Sequence, residues 1–363
     1  MPSFAQKLVL WQRRHGRHGL PWQGTRDPYR VWLSEIMLQQ TQVAAVIPYY
    51  ERFLARFPDV EALARATEDE VLRHWAGLGY YARGRNLHAA AKQVVQQGGF
   101  PQTPEGLVAL PGVGRSTASA IAAFAFGCRA AILDGNVKRV LARQFGVEGE
   151  QAQWALAESL LPARGVETYT QAIMDLGATV CVRRNPRCGE CPVAGACVAR
   201  REGRIDALPS PKKRKATPAR RAAWAVLVHQ GEVLLERRPA RGLWGGLWVP
   251  PTVESTLSAA ECGRLFGCRI RARRPLASFS HGFTHFTLEV QPLRFDVRSR
   301  RGDGAAGSES GRAWFPLAEA ARAAVPAPVR ALLLRLAGEE PVEHLQPALA
   351  VVHHEKRLLR RRR

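Results

Sequence analysis

Long apolar runs are missing from this sequence. No stretch reaches the ~18 consecutive apolar residues that a membrane-spanning helix needs. The first residues, MPSFAQKLVLWQRRHG, contain neither the apolar core nor the small-residue cleavage site of a secretory signal peptide. We therefore expect a soluble, cytoplasmic protein without a membrane partner, associated with the nucleoid if the source is a bacterium.

Acidic residues are also scarce. The 363 residues include 31 Asp and Glu against 53 Lys and Arg, which gives a formal net charge of +22 and an isoelectric point of about 10.8. A field of this sign attracts polyanions. An anionic membrane surface and a purely colloidal role stay open, but the charge favours nucleic acid as the partner. Nothing in the sequence indicates more than a monomer.

Neither repeats of solenoid length nor alternating strand patterns occur in the first half of the chain. Apolar residues recur there at helical spacing, in segments such as VWLSEIMLQQTQV, VEALARATEDEVLRHW, ARGRNLHAAAKQVVQQ and RSTASAIAAFAFG. We predict a multidomain protein that begins with an all-α domain over residues 1–200. A basic, proline-containing linker over 201–220 follows.

The second half has a different pattern. The segment AAWAVLVHQGEVLLERR predicts a β-hairpin, HFTLEVQPLRFDV and GRAWFPL predict strands, and VPAPVRALLLRLAG predicts a closing helix. We therefore expect an α+β domain over residues 221–342, and then a basic tail over 343–363.

Four of the seven cysteines occur together in CVRRNPRCGECPVAGAC. Cys181, Cys188, Cys191 and Cys197 are separated by six, two and five residues. Because a reducing cytosol disfavours disulfides, thiolates this close together predict a metal centre. Zinc usually takes two CxxC pairs, and only one is present, so the spacing favours an iron–sulfur cluster and leaves zinc as the alternative. The other three cysteines are expected to be small buried apolar side chains.

A glycine turn joins two predicted helices in LPGVGRSTASA. Gly112 and Gly114 have no side chain and tolerate positive φ, so backbone N–H groups at the start of the second helix can approach a phosphate. A plain structural turn is the alternative. The basic charge and the neighbouring cysteine cluster favour DNA phosphate as the ligand.

These motifs resemble those of the helix-hairpin-helix DNA glycosylases related to endonuclease III. The resemblance is carried by LPGVGRSTA, by LDGNVKRVLAR and by the cysteine spacing. It implies that the four cysteines hold a 4Fe-4S cluster with a structural role. It also implies that Arg183, Arg184 and Arg187 on the cluster loop face the DNA backbone.

The lysine nucleophile of the strand-cleaving members is absent. In those enzymes it follows GVGR, where this chain has Ser116, and Lys138 belongs to a neighbouring motif. The segment PWQGTRDPYRVWLSEIMLQQTQV closely resembles the MutY family of adenine DNA glycosylases. The resemblance implies a monofunctional base excision repair enzyme that hydrolyses the N-glycosidic bond of adenine.

Adenine excision needs an acid for the leaving base and a group that stabilises the cationic sugar. The resemblance implies that Glu35 is the acid and later the base for water, that Asp134 stabilises or attacks the sugar, and that Asn136 orients Asp134. Without the motif, Glu35 would be read as an exposed helix carboxylate and Asp134 as a helix cap.

The helical pattern around both carboxyl groups predicts different protonation states. Glu35 lies opposite the stripe formed by Leu33, Ile36 and Met37, and beside Val31, Leu38 and Gln42, so apolar neighbours should raise its pKa. Asp134 precedes a predicted helix, whose positive end should keep it ionised.

The resemblance also implies DNA-contacting residues. Gln40 and Tyr80 match positions that wedge into the duplex, while Gly112, Gly114 and Ser116 belong to the hairpin that holds the backbone. For Gln40 a solvated helix face is the alternative, and for Tyr80 ordinary helix packing is.

The second domain resembles a Nudix hydrolase that lacks the catalytic carboxylates. In the stretch directly after GGLWVPP, where a Nudix box needs several clustered glutamates, only the scattered Glu254 and Glu261 occur, so pyrophosphate hydrolysis is not expected. In the MutY family this domain recognises 8-oxoguanine opposite the adenine, and the resemblance places Phe279, Ser280 and His281 in that role. A plain turn between strands is the alternative.

Duplex DNA with adenine opposite 8-oxoguanine or guanine is therefore the expected substrate. A thymine or uracil mismatch glycosylase on the same scaffold is one rival function. A catalytically silent lesion binder is another, which the presence of both carboxyl groups opposes.

Overall fold

Two compact units make up the chain. The computed structural model describes residues 2–211, 217–300 and 311–338. Contacts group Met1–Arg65 with Asn86–Lys213 as the first unit, and Ala66–Arg85 with the segment from Arg214 onward as the second. The first unit is helical and the second is built on a sheet, as the composition shift near residue 200 predicts. None of the described helices has the length and apolarity needed to cross a membrane.

Within the described residues, twelve helices precede the sheet. In chain order they are α1 (Phe4–His15), α2 (Pro28–Leu38), α3 (Val43–Arg56), α4 (Val60–Arg65), α5 (Glu68–Trp75), α6 (Tyr81–Gln96), α7 (Pro104–Val108), α8 (Arg115–Phe126), α9 (Gly135–Phe145), α10 (Glu150–Ser159), α11 (Val166–Asp175) and α12 (Val198–Arg201). A π-helical turn, Leu176–Val180, follows α11, and two short 3-10 turns lie in the cysteine loop. α5 and the first turn of α6 belong to the second unit.

The core of the first unit forms around α8. This helix is rich in alanine, and its small side chains let α2, α7 and α11 pack closely against it. α1 lies against α11 and buries Leu8 and Trp11. The packing brings α2, α8, α9 and α11 together around the site described below.

Two predicted helices are interrupted. The pattern that runs from Val31 to Val43 breaks after Leu38, because Gln40 adopts a left-handed φ of 57° and α3 starts only after Gln42. The prediction that Gln42 shares a helical face with Glu35 is therefore wrong. The pattern over 60–75 divides at Thr67, whose side chain accepts a hydrogen bond from Glu70 N and starts α5.

The second unit contains one mixed eight-stranded sheet. Its strands are β1 (Ala219–His229), β2 (Glu232–Arg237), β3 (Trp248–Val249), β4 (Thr252–Val253), β5 (Cys268–Pro275), β6 (Phe279–Gly282), β7 (Thr287–Arg300) and β8 (Arg312–Pro316). The order is β3-β2-β1-β7-β5, with β4 paired to β1, β6 to β7 and β8 to β2. β1 and β7 are parallel and the other pairs are antiparallel. Helices α13 (Ala259–Phe266), α14 (Leu317–Ala320) and α15 (Ala327–Leu336) complete the unit.

The strands confirm the sequence predictions for this half. The β1–β2 hairpin turns at Gln230 and Gly231, both with positive φ, as the HQG pattern indicates. β7, β8 and α15 fall in the segments predicted for them.

The segment expected to be a linker, 201–220, is partly fixed to the first unit. Leu208 is buried and its carbonyl oxygen accepts a hydrogen bond from Arg143 Nε at 2.9 Å. Ser210 donates from its backbone and its hydroxyl to Glu148. β1 begins at Ala219, so the link between the units is shorter than the composition suggests. The basic tail at 343–363 lies outside the described residues.

Candidate active site and iron–sulfur site

Glu35 lies on α2, whose start is fixed by its sequence. The side chain of Asp27 accepts a hydrogen bond from Tyr29 N at 2.9 Å, and Pro28 occupies the first turn, where its missing N–H costs nothing. The opposite face of α2 is buried through Leu33, Ile36 and Met37, as predicted. Glu35 is thereby held on the face that is turned away from the core stripe.

A cavity of about 620 Å³ opens beside Glu35 within the first unit. We call it the α2 cavity. Val31, Leu38 and Phe124 form its apolar part around Glu35. The other walls are formed by the loop between α1 and α2 and by α11, with these side chains: Arg17, His18, Leu20, Trp22, Gln23, Thr25, Arg26, Glu167, Thr168, Gln171 and Met174. A volume of this size is typical of small-molecule sites and accommodates a nucleobase.

Burial, and to a smaller extent the nearby charge of Asp134, raises the pKa of Glu35 to about 8. A carboxyl group in this environment keeps its proton at neutral pH. The environment predicted from the helical pattern is therefore present, with Val31 and Leu38 as the apolar neighbours.

Asp134 is the N-cap of α9. Its side chain accepts a hydrogen bond from Val137 N at 2.7 Å, as expected for a residue directly before this helix. The backbone N–H of Leu133 donates to Ser116 Oγ at 2.9 Å, which ties the segment before the cap to the start of α8. Asp134 is not among the residues that line the α2 cavity, but its charge acts on Glu35.

The hydrogen bonds at the start of α9 do not bring the pKa of Asp134 below its ordinary value. Burial raises its pKa, and this outweighs the hydrogen bonds from Val137 and Asn136 and the positive charge of Arg139, all of which lower it. The carboxyl groups still differ, since Asp134 has donors that favour its ionised form, while both contributions at Glu35 favour the proton.

Arg139 connects the Asp134 region to the cysteine loop. One guanidinium nitrogen donates to Asn136 Oδ1 at 2.8 Å and to the carbonyl of Gly177 at 2.6 Å, and Nε donates to the carbonyl of Cys181 at 2.7 Å. Asn136 in turn hydrogen-bonds to Asp134. Gly177 permits this approach, because a Cβ there would lie 2.7 Å from Asn136 Cβ.

The four clustered cysteines line one cavity beside α9 and the π-helical turn. Val140, Leu176, Val180 and Val193 make most of its surroundings apolar. A single zinc ion requires sulfur ligands at about 2.3 Å from one point, yet no three His, Cys, Asp or Glu side chains in the described ranges converge on a single metal position. Four cysteines around one largely apolar cavity fit an iron–sulfur cluster, which takes four thiolate ligands.

Arginines surround the cysteine loop. Arg143, on α9, is buried and donates to the carbonyls of Val182 at 2.7 Å and Arg183 at 3.1 Å, and one nitrogen lies 3.6 Å from Cys181 Sγ. Burial raises the pKa of Cys191 to about 11, and a metal bound there would favour its thiolate form. Arg183 and Arg184 are exposed, as expected for DNA contacts.

The glycine turn has the predicted helix-hairpin-helix form with one difference. Gly112 has a φ of +78°, which favours glycine over residues with a side chain. A Cβ at this position would also lie only 2.8 Å from Asn86 Cβ, so there is no space for a side chain. Gly114 instead has an extended backbone and is the N-cap of α8. Ser116 lies in the first turn of α8, and its hydroxyl accepts the Leu133 hydrogen bond rather than being free.

Gln40 and Tyr80 share an unusual backbone conformation. Gln40 has a φ of 57° and is exposed, and Tyr80 has a φ of 48° and is half-buried. Left-handed non-glycine residues are strained and cluster at functional sites. Gln40 belongs to the first unit and Tyr80 to the second, where the guanidinium of Arg83 lies 5.4 Å from its ring centroid.

Phe279, Ser280 and His281 occupy strand β6 in the second unit. Phe279 and His281 are half-buried, whereas Ser280 is exposed. Phe279 and Ser280 also line a cavity of about 730 Å³ with Thr252 and Glu289. The segment is therefore a strand at the edge of the sheet, not the plain turn considered as the alternative.

Sequence reasoning missed most of the α2 cavity wall. Arg17, Gln23 and Gln171 line it, although none was a candidate. Trp22 packs against Tyr50 with ring centroids 5.3 Å apart and lines the cavity as well. Trp22 lies inside PWQGTRDPYRVWLSEIMLQQTQV, the segment that resembles the MutY family. That resemblance was the sequence signal for this part of the cavity wall.

Known proteins share this architecture. Residues 33–161 match the HhH-GPD superfamily of base excision DNA repair proteins, residues 181–197 the iron-sulfur binding domain of endonuclease III, and residues 222–335 the NUDIX domain. The adenine DNA glycosylase of Buchnera aphidicola subsp. Schizaphis graminum is 33% identical over 340 residues, which cover 91% of this chain and 97% of that protein. This chain belongs to the adenine DNA glycosylase family.

The human adenine DNA glycosylase is 37% identical over 314 residues, 69% of this chain and 57% of the human protein. A solved thermostable thymine-DNA glycosylase is 29% identical, with a TM-score of 0.52 over 55% of this chain and 95% of its own. As a family member, the chain is a DNA glycosylase, a hydrolase of N-glycosyl bonds that acts on DNA. Its four clustered cysteines form the family's 4Fe-4S site.

Proposed function

We propose that this adenine DNA glycosylase removes adenine paired with 8-oxoguanine or guanine, and that it does so without cutting the strand. The observation that carries the catalytic part is Glu35, protonated at neutral pH at the apolar side of a base-sized cavity and close to a second carboxyl group. A glycosylase needs these two groups in different protonation states.

In the proposed reaction adenine enters the α2 cavity after leaving the base stack, at a cost of a few kcal/mol that a mispair reduces. Glu35 donates its proton to N7 as the C1′–N9 bonding electrons move to the base. The sugar becomes an oxocarbenium-like cation, which the carboxylate of Asp134 stabilises. Glu35, now ionised, accepts a proton from the attacking water.

Several groups support these steps without taking part in bond changes. Asn136 orients Asp134, and Arg139 holds Asn136 through the 2.8 Å hydrogen bond. Gln40 and Tyr80 fill the space left in the duplex, and their strained backbones, with φ of 57° and 48°, suit residues held in position for such a task. Gly112, Gly114 and Ser116 hold the DNA backbone at the hairpin.

The cluster supplies a structural centre rather than a reacting group. Cys181, Cys188, Cys191 and Cys197 would hold it, and the loop around it presents Arg183 and Arg184 to DNA phosphates. Arg187 is partly engaged within the loop, where it donates to the carbonyl of Thr179 and pairs with Glu190 at 3.2 Å. It therefore contributes less to DNA binding than the sequence suggests.

The preference for 8-oxoguanine is assigned to the second unit. Ser280 exposes a hydroxyl on one face of the short strand β6 and His281 carries an imidazole on the other, and each is a hydrogen-bonding group for a base that reaches this edge of the sheet. Phe279 can press on the duplex. The chain acts as a monomer in this proposal.

The absence of a lysine after GVGR supports hydrolysis without strand cleavage. Ser116 stands at that position, and Lys138 is paired with Glu150 at 3.0 Å on the surface. Cleavage by β-elimination needs an amine nucleophile; Ser116 has none, and the amine of Lys138 is held in the surface ion pair.

One assay tests the proposal. Duplexes with A opposite 8-oxoguanine, A opposite G, T opposite G and U opposite G are incubated with the enzyme and then treated with alkali to reveal abasic sites. We expect excision of adenine from the first two, with the first preferred, and strand cleavage only after alkali. Glu35→Gln is the matched control, expected to lose at least ~10²-fold in rate while still binding DNA.

Excision of thymine would instead favour the second candidate function, which the similarity to a thymine-DNA glycosylase raises. That similarity covers 55% of this chain. Strand cleavage without alkali would contradict the monofunctional mechanism.

A further inference from the structure

An aromatic cluster lies behind β6 in the second unit. It consists of Trp224, Trp244, Phe279, His281 and Phe283. Trp244 is at its centre, with ring centroids 5.8 Å from Trp224, 5.9 Å from His281 and 5.4 Å from Phe283. Trp224 contacts Phe279 at 5.6 Å, and Phe283 meets His281 edge to face at 4.7 Å. Every ring of the β6 segment is therefore held directly or indirectly by Trp244.

Strand β6 depends on this packing. It has only four residues and pairs with β7 alone, through Phe279 with Val290 and His281 with Leu288. Because side chains alternate along a strand, Phe279 and His281 face the cluster while Ser280 faces away. Backbone pairing with β7 fixes the position of His281 along the strand. The rings of Trp244 and Phe283 set the orientation of its imidazole.

Trp244 is itself held in an unusual position. Its φ is 54°, a left-handed conformation that a tryptophan rarely adopts, yet its side chain is buried. The turn around it is closed by Leu247 N donating to the Trp244 carbonyl at 3.0 Å. Arg85, which belongs to the same unit, donates to the carbonyl of Gly245 at 2.5 Å. Strain that the surroundings maintain at one residue points to a function for that residue.

The cluster also determines the state of His281. Burial lowers its pKa, so the imidazole is neutral at physiological pH and offers one donor and one acceptor. The charged groups that face this hairpin are Arg220, which lies 4.4 Å over the Phe286 ring, and the exposed pair Arg221 and Glu289 at 3.0 Å. The rings of Trp244 and Phe283, rather than these charged groups, cover His281.

We propose that Trp244 is a positioning residue that determines specificity for 8-oxoguanine, because it fixes the His281 imidazole and, through Trp224, the Phe279 ring before DNA binds. The inference rests on the proposed function of the β6 segment. A pre-arranged site avoids the free-energy cost of ordering these side chains when DNA binds. The resulting gain in excision rate is limited to adenine opposite 8-oxoguanine, because these side chains recognise only that lesion.

The test compares single-turnover excision of adenine opposite 8-oxoguanine and opposite guanine by the full-length protein. Trp244→Leu should lower the ratio of the two rates about tenfold, the loss expected for about one well-placed hydrogen bond, with little change opposite guanine. Trp244→Phe retains an aromatic ring and should recover most of the ratio. Trp314→Phe, on β8 against His229, is the matched control and should leave the ratio unchanged.

A second readout follows His281 directly. NMR titration of its imidazole should show the pKa rising toward the ordinary histidine value in Trp244→Leu, and staying at the wild-type value in Trp314→Phe. If Trp244→Leu does not fold, Phe283→Leu removes the half-buried ring on the other side of His281 and should give the same two changes.

Folded variants with an unchanged ratio would overturn the inference, as would equal losses on both duplexes, which indicate a general structural defect. A wild-type enzyme with no preference for 8-oxoguanine would contradict the proposed function instead. In that case the His281 titration still tests whether Trp244 holds the imidazole.

Discussion

At the scale of single residues, the site depends on one carboxyl group in an environment that disfavours its charge. Glu35 sits beside Val31 and Leu38, and burial raises its pKa to about 8. An ordinary glutamate has a pKa near 4.3. The protein thus maintains a proton donor at neutral pH, and this has a cost in stability that can be measured.

Glu35→Gln should stabilise the protein in a pH-dependent manner. Below about pH 4 the wild-type group is protonated in both states, so the two proteins should unfold at similar temperatures. As pH rises from about 4 to about 8, only the unfolded wild-type chain ionises, and wild type loses stability that the glutamine variant keeps. Thermal unfolding across this range should show the difference growing and then levelling off above pH 8.

Glu51→Gln, an exposed carboxylate on α3, is the matched control for this experiment. A difference between Glu35→Gln and wild type that does not vary with pH would mean that Glu35 is not protonated in the folded protein.

At the scale of elements, the wall of the α2 cavity is an irregular loop held by one buried carboxylate. Asp175, at the end of α11, is fully buried and accepts hydrogen bonds from Arg17 N at 2.9 Å, Arg17 Nε at 2.7 Å and Gln171 Nε2 at 2.8 Å. Gln23 closes the loop from within by donating to the Arg17 carbonyl and accepting from Gly19 N and Leu20 N. The pocket wall therefore depends on Asp175.

Asp175→Asn should weaken both stability and catalysis. The substitution removes the negative charge that faces Arg17. Breaking a buried ion pair lowers the free energy of unfolding by about 3 kcal/mol at the low end of the usual range. The low end applies here because the Arg17 side chain is 27% exposed. Thermal unfolding and the KM for duplex DNA measure the two effects. Glu158→Gln breaks the exposed pair with Arg115 and should cost under about 1 kcal/mol. Equal effects of the two substitutions would contradict this role for Asp175.

The sequence predicted the helices and strands better than it predicted the breaks within them or the contacts between residues far apart in the chain. Helical spacing identified α2 and the environment of Glu35, and the Asp134 position before α9 followed from capping chemistry. The break at Gln40 was missed, because its left-handed φ is imposed by tertiary structure rather than by residue type. The Asp175–Arg17 contact joins residues 158 positions apart, which no local pattern reveals.

The second unit shows the same limit. The strands follow from alternation, and the motif around His281 follows from resemblance. The role of Trp244 depends on ring contacts between β6 and a distant turn, and on a positive φ at a bulky residue. Neither is readable from residue order alone.

At the scale of the whole molecule, positive charge dominates. The chain carries a formal net charge of +22, and exposed arginines occur on the cysteine loop and along strand β5. Each phosphate that such a residue neutralises releases counterions from DNA. Sequence-independent attraction of this kind therefore favours binding of the enzyme to DNA.

DNA affinity should fall steeply with salt. For a protein with six or more phosphate contacts the loss is about 10³-fold or more between 50 and 200 mM salt. The slope of log Kd against log salt concentration gives the number of contacts, and the double variant Arg183→Gln with Arg184→Gln should reduce it by about 2. A salt response that is flat, or unchanged in the double variant, would contradict the assignment of these arginines to DNA.

The central claim is that Glu35 donates the proton that lets adenine leave, and the pH profile of kcat/KM for adenine excision tests it most directly. The wild-type value should fall tenfold per unit above about pH 8, where Glu35 loses its proton, and also decline at acid pH, where Asp134 becomes protonated, since this parameter reports the free enzyme. Glu35→Gln should be slower by at least ~10² throughout and lack the alkaline descent. A Glu35→Gln enzyme with wild-type rates and the same descent near pH 8 would contradict the account.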